Sequence, residues 1–207
     1  MIIDALRRGA DGVLTVGCHF GECHYEAGNY HADGRHWALR RILALLGISE
    51  DRVWFRQCSS AEGSKFAATV DEFNETIEGL GPLGAAEGLD RAELEDRLLL
   101  ARDVVNGPKL RWVLGKAVEF QTKGNKYGEV WTRHEMNRCL EGVAQDELAV
   151  WRILRELGEE PKDVRRLSAA CDLPPHRTLR YLEALRRRSV VRIERIEDDR
   201  PLFALSE

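Results

Sequence analysis

Between Gly17 and Tyr25 the chain reads GCHFGECHY, with two cysteines, two histidines and two glycines in nine residues. Cys18 and Cys23 are spaced C-x4-C. That spacing occurs in plant-type iron–sulfur loops, where thiolates bind iron and glycines let the backbone approach the sulfides. From spacing alone two readings stand, a cluster loop or a pair of buried thiols. His19 and His24 sit beside the cysteines. Mixed Cys/His sets suit Zn²⁺, but neighbouring residues at a strand end point in opposite directions, so one tetrahedral site does not readily take all four. The histidines are therefore read as hydrogen-bonding to sulfur or backbone rather than as ligands. Cys58 is expected at the end of a second strand, at the same sheet edge as Cys18, as a third ligand or a small core residue. Cys139 and Cys171 lie in helical patterns and are read as packing residues.

Other chemistries find less support. GKAVEFQTKGNKYGE (residues 115–129) lacks the Walker spacing and a preceding strand, so it reads as a structural turn rather than a nucleotide loop. No nucleophile–base–acid set emerges. His36 and His134 are isolated and expected on helix surfaces or edges.

The elements around the loop alternate. Ile2, Ile3 and Leu6 mark a helix ending at Gly9, and GVLTVGC (12–18) is a short apolar run between glycines, as in a buried strand. HWALRRILALLG (36–47) has helical spacing closed by Gly47, and RVWFRQC (52–58) is the second strand. Ser59 or Ser60 is expected to cap the next helix, whose stripe is Phe66, Val70, Phe73 and Ile77. This order is that of a parallel α/β sheet. Two parallel strands cannot bury their own faces or protect their edges, so the region reads as half of a larger unit. GLGPLGAAEGLD (79–90) reads as a linker, followed by helices over 90–105 and KLRWVLGKAVEF, a turn-rich loop over 122–132, and a helix from about His134.

The tail carries three helical segments and two short strands around an acidic turn, the pattern of a winged helix-turn-helix. In its third helix Leu179, Leu182 and Leu185 are expected inside, with Arg177, Arg180, Arg187 and Arg188 outward. Glu194, Glu197, Asp198 and Asp199 on the wing oppose phosphate contact, so docking to protein is expected over DNA binding. The expected fold class is α/β with a partial parallel sheet (1–84), then a helical connecting region (85–143) and a C-terminal winged-helix domain (144–207).

Composition fits this plan. The 207 residues are 43% hydrophobic and 32% charged, with a formal net charge of −4, which gives no general pull toward nucleic acid or anionic lipid. No run approaches the ~18 apolar residues of a membrane span, and the N-terminus lacks a signal core, so no membrane contact and a cytoplasmic location are expected. Five cysteines in such a compartment are expected as thiols or metal ligands.

GADGVLTVGCHFGECHYEAGNY (9–30), AEGSKFA (61–67) and LGPLG (80–84) resemble the methyl-viologen-reducing hydrogenase delta subunit family, also called the hydrogenase iron–sulfur subunit. KLRWVLGK and GNKYGE resemble the extension of its longer members, including their winged-helix tail. The resemblance implies a [2Fe–2S] cluster, bound by Cys18 and Cys23. It implies a non-catalytic electron-transfer subunit of an oxidoreductase complex, linking a hydrogenase or formate dehydrogenase to a heterodisulfide-reductase-like flavoprotein. Family members usually carry a cysteine-rich N-terminal half before the GADGV segment, so a split form or a partner chain that completes the cluster site is expected. Cys18, Cys23 and Cys58 are the candidate metal ligands. The rival reading is a redox- or metal-sensing winged-helix transcription regulator.

Overall fold

The computed structural model describes residues 1–206, which form two compact units, Met1–Gln145 and Asp146 onward. The chain is mixed helix and sheet, with a small parallel pair of strands in the first unit.

In the first unit, α1 (Ile2–Arg7) leads into β1 (Val13–Gly17), α2 (Gly28–Leu45) crosses over, and β2 (Val53–Gln57) lies parallel to β1 in register from Val13↔Val53 to Gly17↔Gln57. Both strands therefore end together, and the loops that leave them share one edge of the sheet. Next come α3 (Gly63–Leu80), α4 (Arg91–Val105), α5 (Pro108–Thr122) and α6 (Arg133–Glu159), the last contributing residues to both units. The core is the apolar face of α2 against β2, α4 and α5, with Ile42, Leu43, Val53, Ala101, Val104 and Leu110 wholly buried. Asp90 and Glu93 form a reciprocal capping box at the start of α4, and Pro108 opens α5, where its missing N–H has no intrahelical partner to lose.

Segment 79–90, expected as a linker, is instead tied to the start of β2. The Arg52 guanidinium is fully buried, pairs with the Glu87 carboxylate (Nη2 to Oε2, 3.1 Å) and donates to the carbonyls of Asp11 (2.9 Å) and Gly81 (3.0 Å). Glu87 also accepts from the amides of Gly84 and Ser49. An isolated buried arginine is costly, and this one has a charge partner and two carbonyls.

The stripe expected on α3 is buried only in part. Phe73 packs on Trp54, ring centroids 5.4 Å apart, but Phe66 is 47% exposed. Two strands are too narrow to cover the first turns of an 18-residue helix. Ser59 and Ser60 do not cap α3. Its N-cap is Glu62, whose carboxylate accepts the Ser59 amide at 2.7 Å. His36, expected at a surface or edge, is buried and stacks on Phe55 at 5.3 Å because α2 turns that face to the sheet. His134 is exposed on α6. No helix among the described residues is long and apolar enough to cross a membrane.

The second unit comprises the end of α6, then α7 (Val164–Cys171), α8 (Pro175–Arg187) and an antiparallel hairpin of β3 (Val191–Glu197) and β4 (Arg200–Leu205). Ile153, Leu157, Leu167, Leu182, Leu185 and Phe203 make its core. Two expectations for α8 are corrected. Leu179 is 42% exposed, and Thr178 and Tyr181 take the inner positions. Arg177 turns back to the Tyr181 hydroxyl (2.9 Å) and Asp146 (3.6 Å), so helix periodicity sets its place more than its charge does. On the hairpin, Glu194 and Glu197 are each paired within their own strand, with Arg192 and Arg195.

Candidate metal centre at the ends of the parallel strands

Cys18 is the first residue beyond β1 and is exposed. The chain then makes two turns, closed by Glu22 N–H to the His19 carbonyl (3.1 Å) and Glu26 N–H to the Cys23 carbonyl (2.8 Å). Gly21, at φ 86°, supplies the left-handed conformation of the first turn. The second turn delivers Cys23 to the N-terminus of α2.

There the Cys23 sulfur meets backbone amides. The Tyr25 amide is the largest influence holding its pKa below the ordinary thiol value. Partial burial opposes this, and the Asn29 amide, the Cys18 thiol and the Gly28 amide add to it. Amides at a helix N-terminus favour an anion, here a thiolate. Gly28 makes room for the sulfur, since a β-carbon there would stand 3.3 Å from Cys23 Sγ.

Cys58 follows β2 as Cys18 follows β1. Its amide donates to the Gly17 carbonyl at 2.9 Å, extending the ladder by one residue. Its Sγ is directed at the carbonyls of Ser59 and Glu62, 3.4 Å each. The thiol thus bonds within its own loop, in a shallow hollow lined by Val16, Ser59, Ser60, Gly63 and Phe66.

His19 bridges the two loops, with Nε2 2.6 Å from Glu62 Oε2. The Ser59 amide, then His19 and Lys65, hold the Glu62 carboxyl down at about 2, against slight desolvation. His24 is exposed and packs edge-on to Tyr25. Asn29 is a site residue that the sequence reading misses. It is 4% exposed, and its Nδ2 donates to the carbonyls of Cys18 (3.2 Å) and His19 (2.6 Å). The only sequence signal for it is a Gly-Asn pair just after the cysteine loop.

Cys139 and Cys171 lie on α6 and α7. Burial raises both thiols, Cys171 to about 11, with Glu156 adding to it. Among the described residues no three His, Cys, Asp or Glu side chains form a group able to hold a metal ion. The cysteine donors at this edge are Cys18 and Cys23 on one loop, with Cys58 following β2 at the same ends of the strands. Two such donors fit half of a four-thiolate [2Fe–2S] ligand set.

A thiol pair on a strand-to-helix loop of a parallel sheet defines the class as an α/β module with a candidate redox or metal loop. The family model for the methyl-viologen-reducing hydrogenase delta subunit matches residues 1–81, and for that segment the family resemblance is shown. The chain is 49% identical over 81 residues to an F420-non-reducing hydrogenase iron–sulfur subunit of Archaeoglobus profundus, covering 39% of this chain and 59% of that one. It is 38% identical over 92 residues to the vhc F420-non-reducing hydrogenase iron–sulfur subunit of Methanococcus voltae, covering 44% and 64%. It is also 40% identical over 84 residues to a ferredoxin:CoB-CoM heterodisulfide reductase subunit of Methanosarcina mazei, covering 41% of this chain and 11% of that protein. The chain thus spans about three-fifths of these hydrogenase relatives and about a tenth of the reductase relative.

Proposed function

We propose that this chain is an electron-transfer subunit carrying or completing a [2Fe–2S] site, between a hydrogenase or formate dehydrogenase and a heterodisulfide-reductase-like flavoprotein in the cytoplasm. One observation carries the reading. The segment matched by the hydrogenase delta-subunit family model, residues 1–81, contains the Cys18–Cys23 pair, and the amides of Tyr25, Asn29 and Gly28 hold the Cys23 thiol below its ordinary pKa. Cys18 and Cys23 are the ligands of this proposal, and Cys58 is a third once its thiol leaves the Ser59 and Glu62 carbonyls. Bound there, the cluster would supply one-electron transfer.

The protein's own residues have distinct tasks in this reading. The Tyr25 amide, with those of Asn29 and Gly28 at the start of α2, stabilises the Cys23 sulfur as thiolate, the form that binds iron. β1 and β2 fix both loops at one edge. The remaining donors come from another polypeptide segment, which also covers the unpaired strand edges and the exposed start of α3. The second unit is read as a winged helix that docks protein.

The test is anaerobic purification with the partner proteins, followed by electron transfer from hydrogenase to flavin. The Cys18→Ser/Cys23→Ser variant is expected to assemble but transfer no electrons. Transfer at the wild-type rate would overturn the proposal.

A further inference from the structure

Asn29 is unusual among the polar residues of the first unit. It is a buried amide in the first turn of α2 that serves the loop before the helix rather than the helix itself. Its Nδ2 spans two successive carbonyls, those of Cys18 at 3.2 Å and His19 at 2.6 Å. Its Oδ1 accepts the Tyr30 amide at 3.0 Å, which fixes the orientation of the side-chain amide. The residue just before it, Gly28, lies against Cys23 Sγ, and the Asn29 amide contributes to holding that thiol below its ordinary pKa. One residue therefore holds the backbone that carries Cys18 and sits next to the glycine against which the Cys23 sulfur packs. The opposite side of the loop is held by the His19–Glu62 bond at 2.6 Å, and Glu62 also accepts the Ser59 amide beside Cys58. Asn29 is the member of this brace that ties the Cys18 backbone to the first turn of α2, where Cys23 Sγ packs on Gly28.

We propose that Asn29 is a positioning residue that sets the separation and orientation of the Cys18 and Cys23 sulfurs for metal chelation. This rests on the reading of the pair as ligands, and it adds the residue that preorganises them. A chelating pair gains affinity when its donors are already at the binding separation, because less conformational freedom is lost on binding. Residues that orient ligands typically change metal affinity by about 10- to 100-fold when replaced. An aspartate at this position keeps the shape and the acceptor for Tyr30 but loses the donor. Its carboxylate would oppose two carbonyl oxygens.

The experiment uses the full chain, reduced and free of metal, titrated with Co²⁺. Thiolate-to-cobalt charge-transfer absorption reports how many sulfurs bind and how tightly. Asn29→Ala is expected to bind Co²⁺ about 10-fold more weakly than wild type, and Asn29→Asp more weakly still, with the charge-transfer band altered in both. Asn74→Ala, on the exposed surface of α3, is expected to match wild type. Circular dichroism melts identify any variant that does not fold, and if Asn29→Asp is one, Asn29→Ala carries the test. Folded Asn29 variants with the wild-type affinity and spectrum would overturn the proposal, as would a wild-type titration identical to that of Cys18→Ser/Cys23→Ser. If wild type binds Co²⁺ through both thiols and the Asn29 variants weaken it, the positioning role stands even where the assembled complex contains no iron and sulfide. That last result would defeat only the electron-transfer reading.

Discussion

The Sγ of Cys23 lies so close over Gly28 that a β-carbon at position 28 would stand 3.3 Å from it. Such a contact is tighter than nearly all β-carbons show, and the Tyr25 β-carbon would stand closer still at 3.2 Å, so Gly28→Ala requires the Cys23–Tyr25 turn to shift by a few tenths of an ångström and disturbs the seat of the sulfur. Removing glycine from the first turn of a helix by itself raises stability by about 0.4–1 kcal/mol where the conformation allows alanine. The two effects have opposite signs on different observables. Gly28→Ala is expected to melt no lower than wild type, while the iodoacetamide rate at Cys23 at neutral pH falls severalfold. An unchanged rate would show that the contact does not position the sulfur.

The thiols should also separate by reactivity. Cys23 is depressed by amides, whereas burial raises Cys139 and raises Cys171 to about 11. Alkylation proceeds through the thiolate. Limited treatment of the native, metal-free chain at mildly alkaline pH is expected to label Cys23 well before Cys139 and Cys171, read by peptide mass spectrometry. Labelling of Cys171 at the rate of Cys23 would contradict this ordering.

Arg52 and Glu87 pin segment 79–90 to the base of β2. Removing one partner of a buried pair leaves an uncompensated charge, which costs about 3–5 kcal/mol. Glu87→Ala and Arg52→Ala should each lower the denaturant midpoint accordingly. Burial alone would raise the Glu87 pKa, but the Arg52 hydrogen bonds and the Gly84 and Ser49 amides outweigh it, so the folded-state value lies below that of an ordinary glutamate. Its contribution is therefore complete above the unfolded value and is lost as pH falls through the folded one. The stability difference between wild type and Glu87→Gln should shrink on acidification below about pH 4.3, the ordinary glutamate value.

The α/β alternation and the cysteine loop are legible because both are local. β1 and β2 are short apolar runs ended by glycine or polar residues, and Cys18 and Cys23 are five residues apart on one loop. What the sequence hides is set by tertiary contact. His36 is buried because Phe55, nineteen residues on, presents a ring to it. Asn29 matters because two carbonyls from before the helix come within its reach. The linker reading of 79–90 rests on glycine content, which cannot reveal that Arg52 would seek Glu87. Leu179 fits the leucine spacing, but Tyr181 fills the inner position and bonds Asp146 at 2.7 Å.

The second unit is expected to bind no DNA tightly. Arg192 and Arg195 are engaged by Glu194 and Glu197, the acidic turn carries Asp198 and Asp199, and Glu183 interrupts the exposed face of α8 that carries Arg180 and Arg187. Fluorescence anisotropy of the full chain with promoter and random duplexes at physiological salt should show only binding weaker than about 10⁻⁶ M. Sequence-specific binding near ~10⁻⁸ M would favour the regulator reading.

The most direct test of the central claim is electron paramagnetic resonance of the anaerobically assembled, reduced complex, with iron and sulfide assayed on the same samples. Wild type is expected to show the signal of a reduced [2Fe–2S] cluster assigned to this chain. Cys18→Ser and Cys23→Ser should each abolish or reshape that signal, and Cys139→Ser and Cys171→Ser should leave it intact. A wild-type signal in Cys18→Ser/Cys23→Ser, or zinc in place of iron and sulfide, would contradict the account.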